Sequence, residues 1–165
     1  MIFSFFIFLI LFIGCESGKK HVILSKITSP YIECESCVKG RYTNNRYESS
    51  CTLCPKGWYQ NANGKQYCIP CEPGQLNALE GQPLCKDCEK GQYTSSAKAE
   101  GCSFCESGKY QDESGIENCK SCKAGKFSSA SGAKLETACT NCENGKFSSA
   151  SGAKLESACI NCGAG

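Results

Sequence analysis

The sequence predicts a small disulfide-rich fold: an elongated array of short two-stranded β-hairpin repeats, with little helix outside an N-terminal signal peptide. Three observations predict it. Seventeen of the 165 residues are cysteine, a density that marks a disulfide scaffold. From Cys34 onward the cysteines recur as C-x-x-C pairs at a fixed short period, which is the signature of a repeat array. Glycine and aromatic residues keep step with those pairs. Leu, Ile, Val, Phe, Met and Trp are sparse outside the N-terminal stretch, so burial alone cannot offset the chain entropy of units 17 residues long. Cross-links must supply the difference, and closing a loop of about 15 residues is worth roughly 3 kcal/mol.

The net charge is +2, with both signs well mixed. Such a balance gives no electrostatic reason to expect nucleic acid or an anionic membrane surface as partner.

Residues 2–13 read I-F-S-F-F-I-F-L-I-L-F-I, an apolar run of 12 residues. The run is short for a bilayer span and suits the apolar core of a secretory signal. A cut after Ser17 places Cys15 and Ser17 at the small-residue positions; a cut after Cys15 is the other choice. Phe12-Ile13-Gly14-Cys15 faintly resembles a bacterial lipoprotein box, without its leading Leu or upstream Lys/Arg. The expected organisation is a signal peptide at 1–17, a lead-in segment at 18–33 and repeats over 34–165. Export places the chain outside the cell, secreted or on the surface, where structural disulfides persist.

In the lead-in, Val22-Ile23-Leu24 and Ile27 suit a short strand punctuated by Pro30. His21, the single histidine, lies beside Lys19 and Lys20 and reads as a solvated residue near the mature N-terminus. With no second histidine to share a ligand, a metal role for it is poor.

Cys34, Cys51, Cys68, Cys85, Cys102 and Cys119 stand 17 residues apart, and Cys139 and Cys159 follow at intervals of 20. Each opens a pair completed by Cys37, Cys54, Cys71, Cys88, Cys105, Cys122, Cys142 and Cys162. Glycine follows the second cysteine by three positions at Gly40, Gly57, Gly74, Gly91, Gly108, Gly125 and Gly145, and again at Gly165. An aromatic lies five on at Tyr42, Tyr59, Tyr93, Tyr110, Phe127 and Phe147; the third unit has Leu76 instead. A second glycine recurs at Gly64, Gly81, Gly115, Gly132 and Gly152, replaced by Tyr47 in the first unit and Lys98 in the fourth.

The stretch G-K-F-S-S-A-S-G-A-K-L-E occurs twice, at 125–136 and 145–156, with three residues inserted before the closing cysteine. The A-K-L-E-T-A piece suits one helical turn. Seven units are complete and an eighth stops at C-G-A-G, so the sequence reads as a fragment that a membrane anchor could follow, a truncated gene model or an array with an abrupt end.

Within one unit, Lys109-Tyr110-Gln111 reads as an extended arm, Asp112-Glu113-Ser114-Gly115 as a turn and Ile116-Glu117-Asn118 as the returning arm. The early glycine bends the chain just after the cysteine. The aromatic then covers the unit's own bridge, so that Gly108, Gly115 and Tyr110 serve Cys105–Cys119. Such hairpins are marginal alone, so neighbours must stack.

Cysteine count does not fix connectivity, but like units call for a pairing that translates along the chain. Joining the second cysteine of one pair to the first of the next does so: Cys37–Cys51, Cys54–Cys68, Cys71–Cys85, Cys88–Cys102, Cys105–Cys119, Cys122–Cys139 and Cys142–Cys159. Cys34 then needs Cys15 or stays free, and Cys162 lacks a partner. The rival, Cys34–Cys51 with Cys37–Cys54 and so on, makes alternate units unequal. Pairing inside each C-x-x-C also translates, although that arrangement is usual for redox sites.

The pattern C-x-x-C-x-x-G-x-[YF]-x(4)-G-x(3)-C-x-x-C resembles the ephrin-receptor-like cysteine-rich repeat, within the growth-factor-receptor cysteine-rich group. Residues 105–122 and 54–71 match it best. Cys54-Pro55-Lys56-Gly57-Trp58-Tyr59 through Cys68 is also similar to the first half of a tumour-necrosis-factor-receptor module, with its single closing bridge. That likeness favours the second-to-first pairing. The resemblance spans 34–165 and implies a non-catalytic extracellular protein, a surface scaffold or protein-binding ectodomain, with no cofactor and an unspecified protein partner.

The residues that repeat are structural, so contact must fall to those that vary, such as Trp58, Leu76, Leu79 and Phe104. The competing reading is a zinc array, since C-x2-C-x13-C-x2-C lies near the zinc-ribbon template. Export and the glycine-aromatic register argue against it. Thiol–disulfide exchange needs one reactive pair in a βαβ setting, whereas eight equivalent pairs occur here. One histidine leaves no triad to assemble. Neither a D-x-D-x-D-G calcium loop nor an N-x-S/T sequon is present.

Overall fold

The computed structural model of the chain describes residues 14–26 and 29–163. The apolar run at 2–13 and Ile27 lie outside the described residues. The chain divides into two compact units, Met1–Pro70 with Leu79–Cys85, and Cys71–Ala78 with Lys86–Gly165. Both are built from two-stranded antiparallel hairpins, eight in all among the described residues. The helical pieces are two 3-10 turns, Glu136–Ala138 and Glu156–Ala158.

In the first unit, β1 (Lys19–Lys26) pairs with β2 (Ser29–Ser36), from Lys19 opposite Ser36 to Lys26 opposite Ser29. β3 (Arg41–Tyr42) pairs with β4 (Thr52–Leu53), and β5 (Trp58–Tyr59) with β6 (Ile69–Pro70). The bridges are Cys15–Cys34, Cys37–Cys51 and Cys54–Cys68.

The second unit repeats the plan: β7 (Gln75–Leu76) with β8 (Lys86–Asp87), β9 (Gln92–Tyr93) with β10 (Ser103–Phe104), and β11 (Lys109–Tyr110) with β12 (Lys120–Ser121). β13 (Lys126–Phe127) with β14 (Thr140–Asn141) and β15 (Lys146–Phe147) with β16 (Ile160–Asn161) complete it. Its bridges are Cys88–Cys102, Cys105–Cys119, Cys122–Cys139 and Cys142–Cys159. Cys71 and Cys85 are also disulfide-bonded, and Cys162 is free and exposed.

Four sequence expectations need correction. The lead-in is not a single short strand, because β1 and β2 form a hairpin that Cys15–Cys34 shuts. Of the two alternatives left for Cys34, pairing with Cys15 is the one found, and Gly18 follows Cys15 by three positions as in the repeats. His21 is not simply solvated. It is half-buried, its Nε2 accepts the Cys15 N–H at 3.1 Å, and its ring meets Tyr47 edge-on at 6.3 Å.

The returning arm of each hairpin is also not the one expected. Tyr110 pairs with Lys120, inside the C-x-x-C, and not with Ile116-Glu117-Asn118. The reason lies at Gly115, whose N–H donates to Cys88 O at 2.9 Å. That bond pulls the turn out of its own hairpin and onto the preceding repeat.

Finally, Tyr110 does not cover Cys105–Cys119. It is 7% exposed and clusters with Ala133 and with Cys122 and Cys139, the bridge of the next repeat. The core is otherwise almost entirely cysteine, joined by two small residues, Ala133 and Ala153.

A buried polar side chain follows the aromatic position, and in two repeats it braces the loop from within. Gln111 is fully buried; its Nε2 donates to Asn118 O at 2.7 Å and its Oε1 accepts the Glu113 N–H at 3.1 Å. Gln60 makes the same two bonds, to Tyr67 O and from Ala62 N–H. Gln111→Leu should therefore cost about 1–3 kcal/mol, because two backbone groups lose their partner while the volume is kept. Thermal unfolding reads the loss, and amide exchange at Glu113 should speed up most.

Outside the same loop, Lys120 Nζ holds Asp112 and Glu113 at 2.6 Å each. The hydrogen bond from Lys120 holds the Asp112 carboxyl below its ordinary value, and the reciprocal bond raises the Lys120 ammonium. Since the folded carboxyl is depressed, the pair's contribution is present above the unfolded pKa and lost as pH falls through the folded value. Both groups face solvent, so the contribution is small. In Lys120→Met the Asp112 carboxyl should titrate at higher pH, as followed by carboxyl NMR shifts.

Candidate functional site

The repeating glycines and cysteines build a ladder that joins one repeat to the next. In the second unit the Gly74, Gly91, Gly108 and Gly125 N–H groups donate to Thr94, Gln111, Ser128 and Ser148 carbonyls at 2.7–2.8 Å. In the first, Gly40 N–H donates to Gln60 O at 2.8 Å. Each of these carbonyls belongs to the polar residue that follows the aromatic position one repeat on.

The glycine carbonyl takes part as well: Cys54, Cys88, Cys105, Cys122 and Cys142 N–H groups donate to Gly40, Gly74, Gly91, Gly108 and Gly125. The second glycine closes the pattern. Gly81 N–H donates to Cys54 O, Gly132 to Cys105 O and Gly152 to Cys122 O, all at 2.7–2.8 Å.

Backbones meet so closely here that side chains are excluded. Gly108 has φ +81, and a Cβ on it would lie 2.2 Å from Gly152 O. Where the second glycine is missing, Lys98 takes its place at φ 62 and donates its N–H to Cys71 O at 2.9 Å. A lysine therefore fills the left-handed position, at the usual cost for a side chain in that region.

The aromatic position takes part through small residues of the following repeat. Parallel bridges join Leu76 to Ala99, Tyr110 to Ala133 and Phe127 to Ala153. Tyr42, Tyr59 and Tyr93 are half-buried, and Phe147 is 44% exposed. Leu76 is thus part of the ladder.

The polar series Thr43, Gln60, Asn77, Thr94, Gln111, Ser128 and Ser148 is buried throughout. Sequence reading missed it because the residue type changes from unit to unit. Its signal was a hydrogen-bonding side chain at one fixed position after the aromatic.

What faces outward is of another kind. Among the residues that vary, Leu79 and Phe104 are 64% and 63% exposed, while Trp58 is half-buried. Leu53, Tyr67 and Leu84 are exposed as well.

One groove of about 220 Å³ is lined by Lys20, Glu35, Val38, Arg41 and Ser49 among others. Its charges are already used, with Lys20 on Glu35 at 3.0 Å and Arg41 Nη1 on Cys51 O at 3.1 Å. Among the described residues no group of three or more His, Cys, Asp or Glu is placed to hold a metal. The paired sulfurs are committed to bridges and are not thiolates, which favours the disulfide array over tetrathiolate zinc.

The family model for tyrosine-protein kinase ephrin type A/B receptor-like modules matches residues 46–81 and 93–139, just over half of the chain. The chain belongs to this family. No curated protein matches it. Membership in the ephrin-receptor-like family and the tandem bridges together point to an extracellular ectodomain. The matched segments hold the ladder glycines Gly74, Gly108 and Gly125.

Proposed function

We propose that this ephrin-receptor-like chain is a non-catalytic surface scaffold or protein-binding ectodomain. The observation that carries the reading is the division of labour along the repeat. Most positions that recur are wholly or partly buried in the ladder, while large apolar side chains at varying positions face solvent, as at Leu79, Leu84 and Phe104. Exposed apolar side chains on a cross-linked frame suit protein contact, because the frame limits the ordering cost of binding.

Export is part of the same reading, and the Cys15–Cys34 bridge bears on its processing. A cut after Cys15 or Ser17 would discard Cys15, which is 1% exposed and bonded to Cys34. Lipid on the Cys15 sulfur would prevent the same bridge. The bridge therefore supports a cut upstream of Cys15.

The test is expression of the whole sequence with its own N-terminus in a secreting eukaryotic cell. The expected product is outside the cell, carries Cys15 linked to Cys34, and binds intact cells less when Phe104, or Leu79 with Leu84, is changed to serine. A reduced, zinc-loaded protein kept in the cytosol would overturn the reading.

A further inference from the structure

We propose that the two repeats spanning residues 37–70 form a binding face for a sulfated polysaccharide. Such a polymer meets the chain outside the cell, which is where the family and the tandem bridges point. The face is separate from Leu79, Leu84 and Phe104, so it stands or falls apart from the protein contacts suggested for them.

The two signs of charge are mixed over the whole chain but not along it. Residues 37–70 carry five cationic side chains, Lys39, Arg41, Arg46, Lys56 and Lys65, against one carboxylate, Glu48. Residues 71–119 reverse the ratio, with nine carboxylates against four lysines. All five cations are exposed, and among the described residues none of them forms an ion pair. Glu48 is itself held by Asn45 Nδ2 at 3.0 Å. Like charge gathered without counter-charge repels itself and draws in an anionic partner.

The fold brings these residues together within the first compact unit. Lys39 and Lys56 take the same position in consecutive repeats, two after Cys37 and Cys54. Lys39 N–H donates to Asn63 Oδ1 at 3.0 Å and Gly64 N–H to Cys37 O at 2.8 Å, so the turn that carries Lys65 rests on the segment that carries Lys39. Both guanidiniums are steadied by carbonyls, Arg41 Nη1 on Cys51 O at 3.1 Å and Arg46 Nε on Cys15 O at 3.2 Å. A carbonyl orients a guanidinium without cancelling its charge, and the remaining N–H donors suit the oxygens of a sulfate.

The surroundings of the cations suit a sugar chain. Asn44, Asn61 and Gln66 are exposed amides in the two loops, able to bond hydroxyls. Tyr47 and Tyr67 are 58% and 69% exposed. A tyrosine ring offers a flat apolar face to the C–H side of a pyranose and a hydroxyl at its edge. An acidic peptide has no pyranose face to match them. The acidic stretch of a second copy fits less well, because Asp112 and Glu113 already hold Lys120 and Glu106 holds Lys154.

The test is binding of a fluorescent heparin hexasaccharide to the oxidised full chain, followed by anisotropy over a range of salt. The native chain should bind, and affinity should fall steeply as salt rises. Changing Lys39, Lys56 and Lys65 together to glutamine should weaken binding by about tenfold or more, while the same change at Lys86, Lys90 and Lys109 should leave it unaltered. Tyr67→Ser should weaken it about threefold without altering the salt dependence, which bare charge attraction would not produce. Intact Cys37–Cys51 and Cys54–Cys68 linkages in each variant show that the face is still folded. Absence of binding, or equal binding by the native chain and the Lys39, Lys56 and Lys65 variant, would overturn the proposal. So would equal binding of the desulfated hexasaccharide, or of polyglutamate, which would give the face to an acidic protein. Self-association that depends on the three lysines, with no heparin binding, would give it to a second copy and overturn the proposal as well.

Discussion

Replacing Gly108 by alanine should destabilise its stretch of the array by about 3 kcal/mol or more, while the same change at Gly145 should cost only about 1 kcal/mol. Both residues hold a positive φ, +81 and +82, so both substitutions carry the left-handed penalty. They differ in what the new methyl meets. At Gly108 it meets Gly152 O at 2.2 Å; at Gly145 it meets nothing within 4 Å. Relief at Gly108 requires the Gly152 turn to back away, which breaks the bond from Gly152 N–H to Cys122 O and lifts Ala153 from Phe127. Amide exchange suits the comparison better than a single melting midpoint, since repeat arrays unfold piecewise. In Gly108→Ala the amides of Gly152 and Ser128 should lose protection. A cost at Gly145 as large as at Gly108 would refute the view that close backbone approach, and not φ alone, selects glycine.

The second large effect is loss of one interior bridge. With Cys105 and Cys119 both changed to serine, a loop of separation 14 is released, at about 3 kcal/mol by the chain-entropy estimate. The damage should reach the following repeat. Gly132 N–H and Ser131 Oγ both rest on Cys105 O, and the arm after Cys105 carries Tyr110 into the bridge of the next repeat. Changing Cys142 and Cys159 should instead leave the repeats before Cys122 protected, because fewer contacts depend on the last bridge. Native-state exchange on the two variants distinguishes them. Equal, local losses would show that the repeats do not lean on one another.

Much of the fold was legible in the residues. Periodic C-x-x-C pairs, an early glycine and an aromatic two positions on from it define a hairpin repeat, because a unit so poor in apolar residues has only cross-links to hold it. The three-residue insertion before Cys139 and Cys159 was legible as a short helical turn, and 3-10 turns stand at Glu136–Ala138 and Glu156–Ala158.

The illegible parts are those in which a residue serves a neighbour and not its own unit. Ile116-Glu117-Asn118 looks like a strand arm because nothing local shows that Gly115 N–H goes to Cys88 O. Tyr110 looks like the cover of Cys105–Cys119 because sequence adjacency hides the cluster with Cys122 and Cys139. Cys15 was legible as a partner for Cys34 but not as a repeat position, although its spacing to Gly18 matches that of the repeat. The polar bracing position escaped notice because Gln, Asn, Thr and Ser share a hydrogen-bonding capacity and not a residue type.

The central claim is that each C-x-x-C divides its sulfurs between two successive repeats, leaving none for metal. Mass spectrometry of the non-reduced chain after proteolysis, together with a zinc assay on the intact protein, tests it most directly. The account predicts peptides joined through Cys37–Cys51, Cys54–Cys68, Cys88–Cys102 and Cys105–Cys119, with no bound zinc and with structure lost to reductant but not to chelator. Peptides joined through Cys37 and Cys54, or stoichiometric zinc released by a chelator as the chain unfolds, would contradict it.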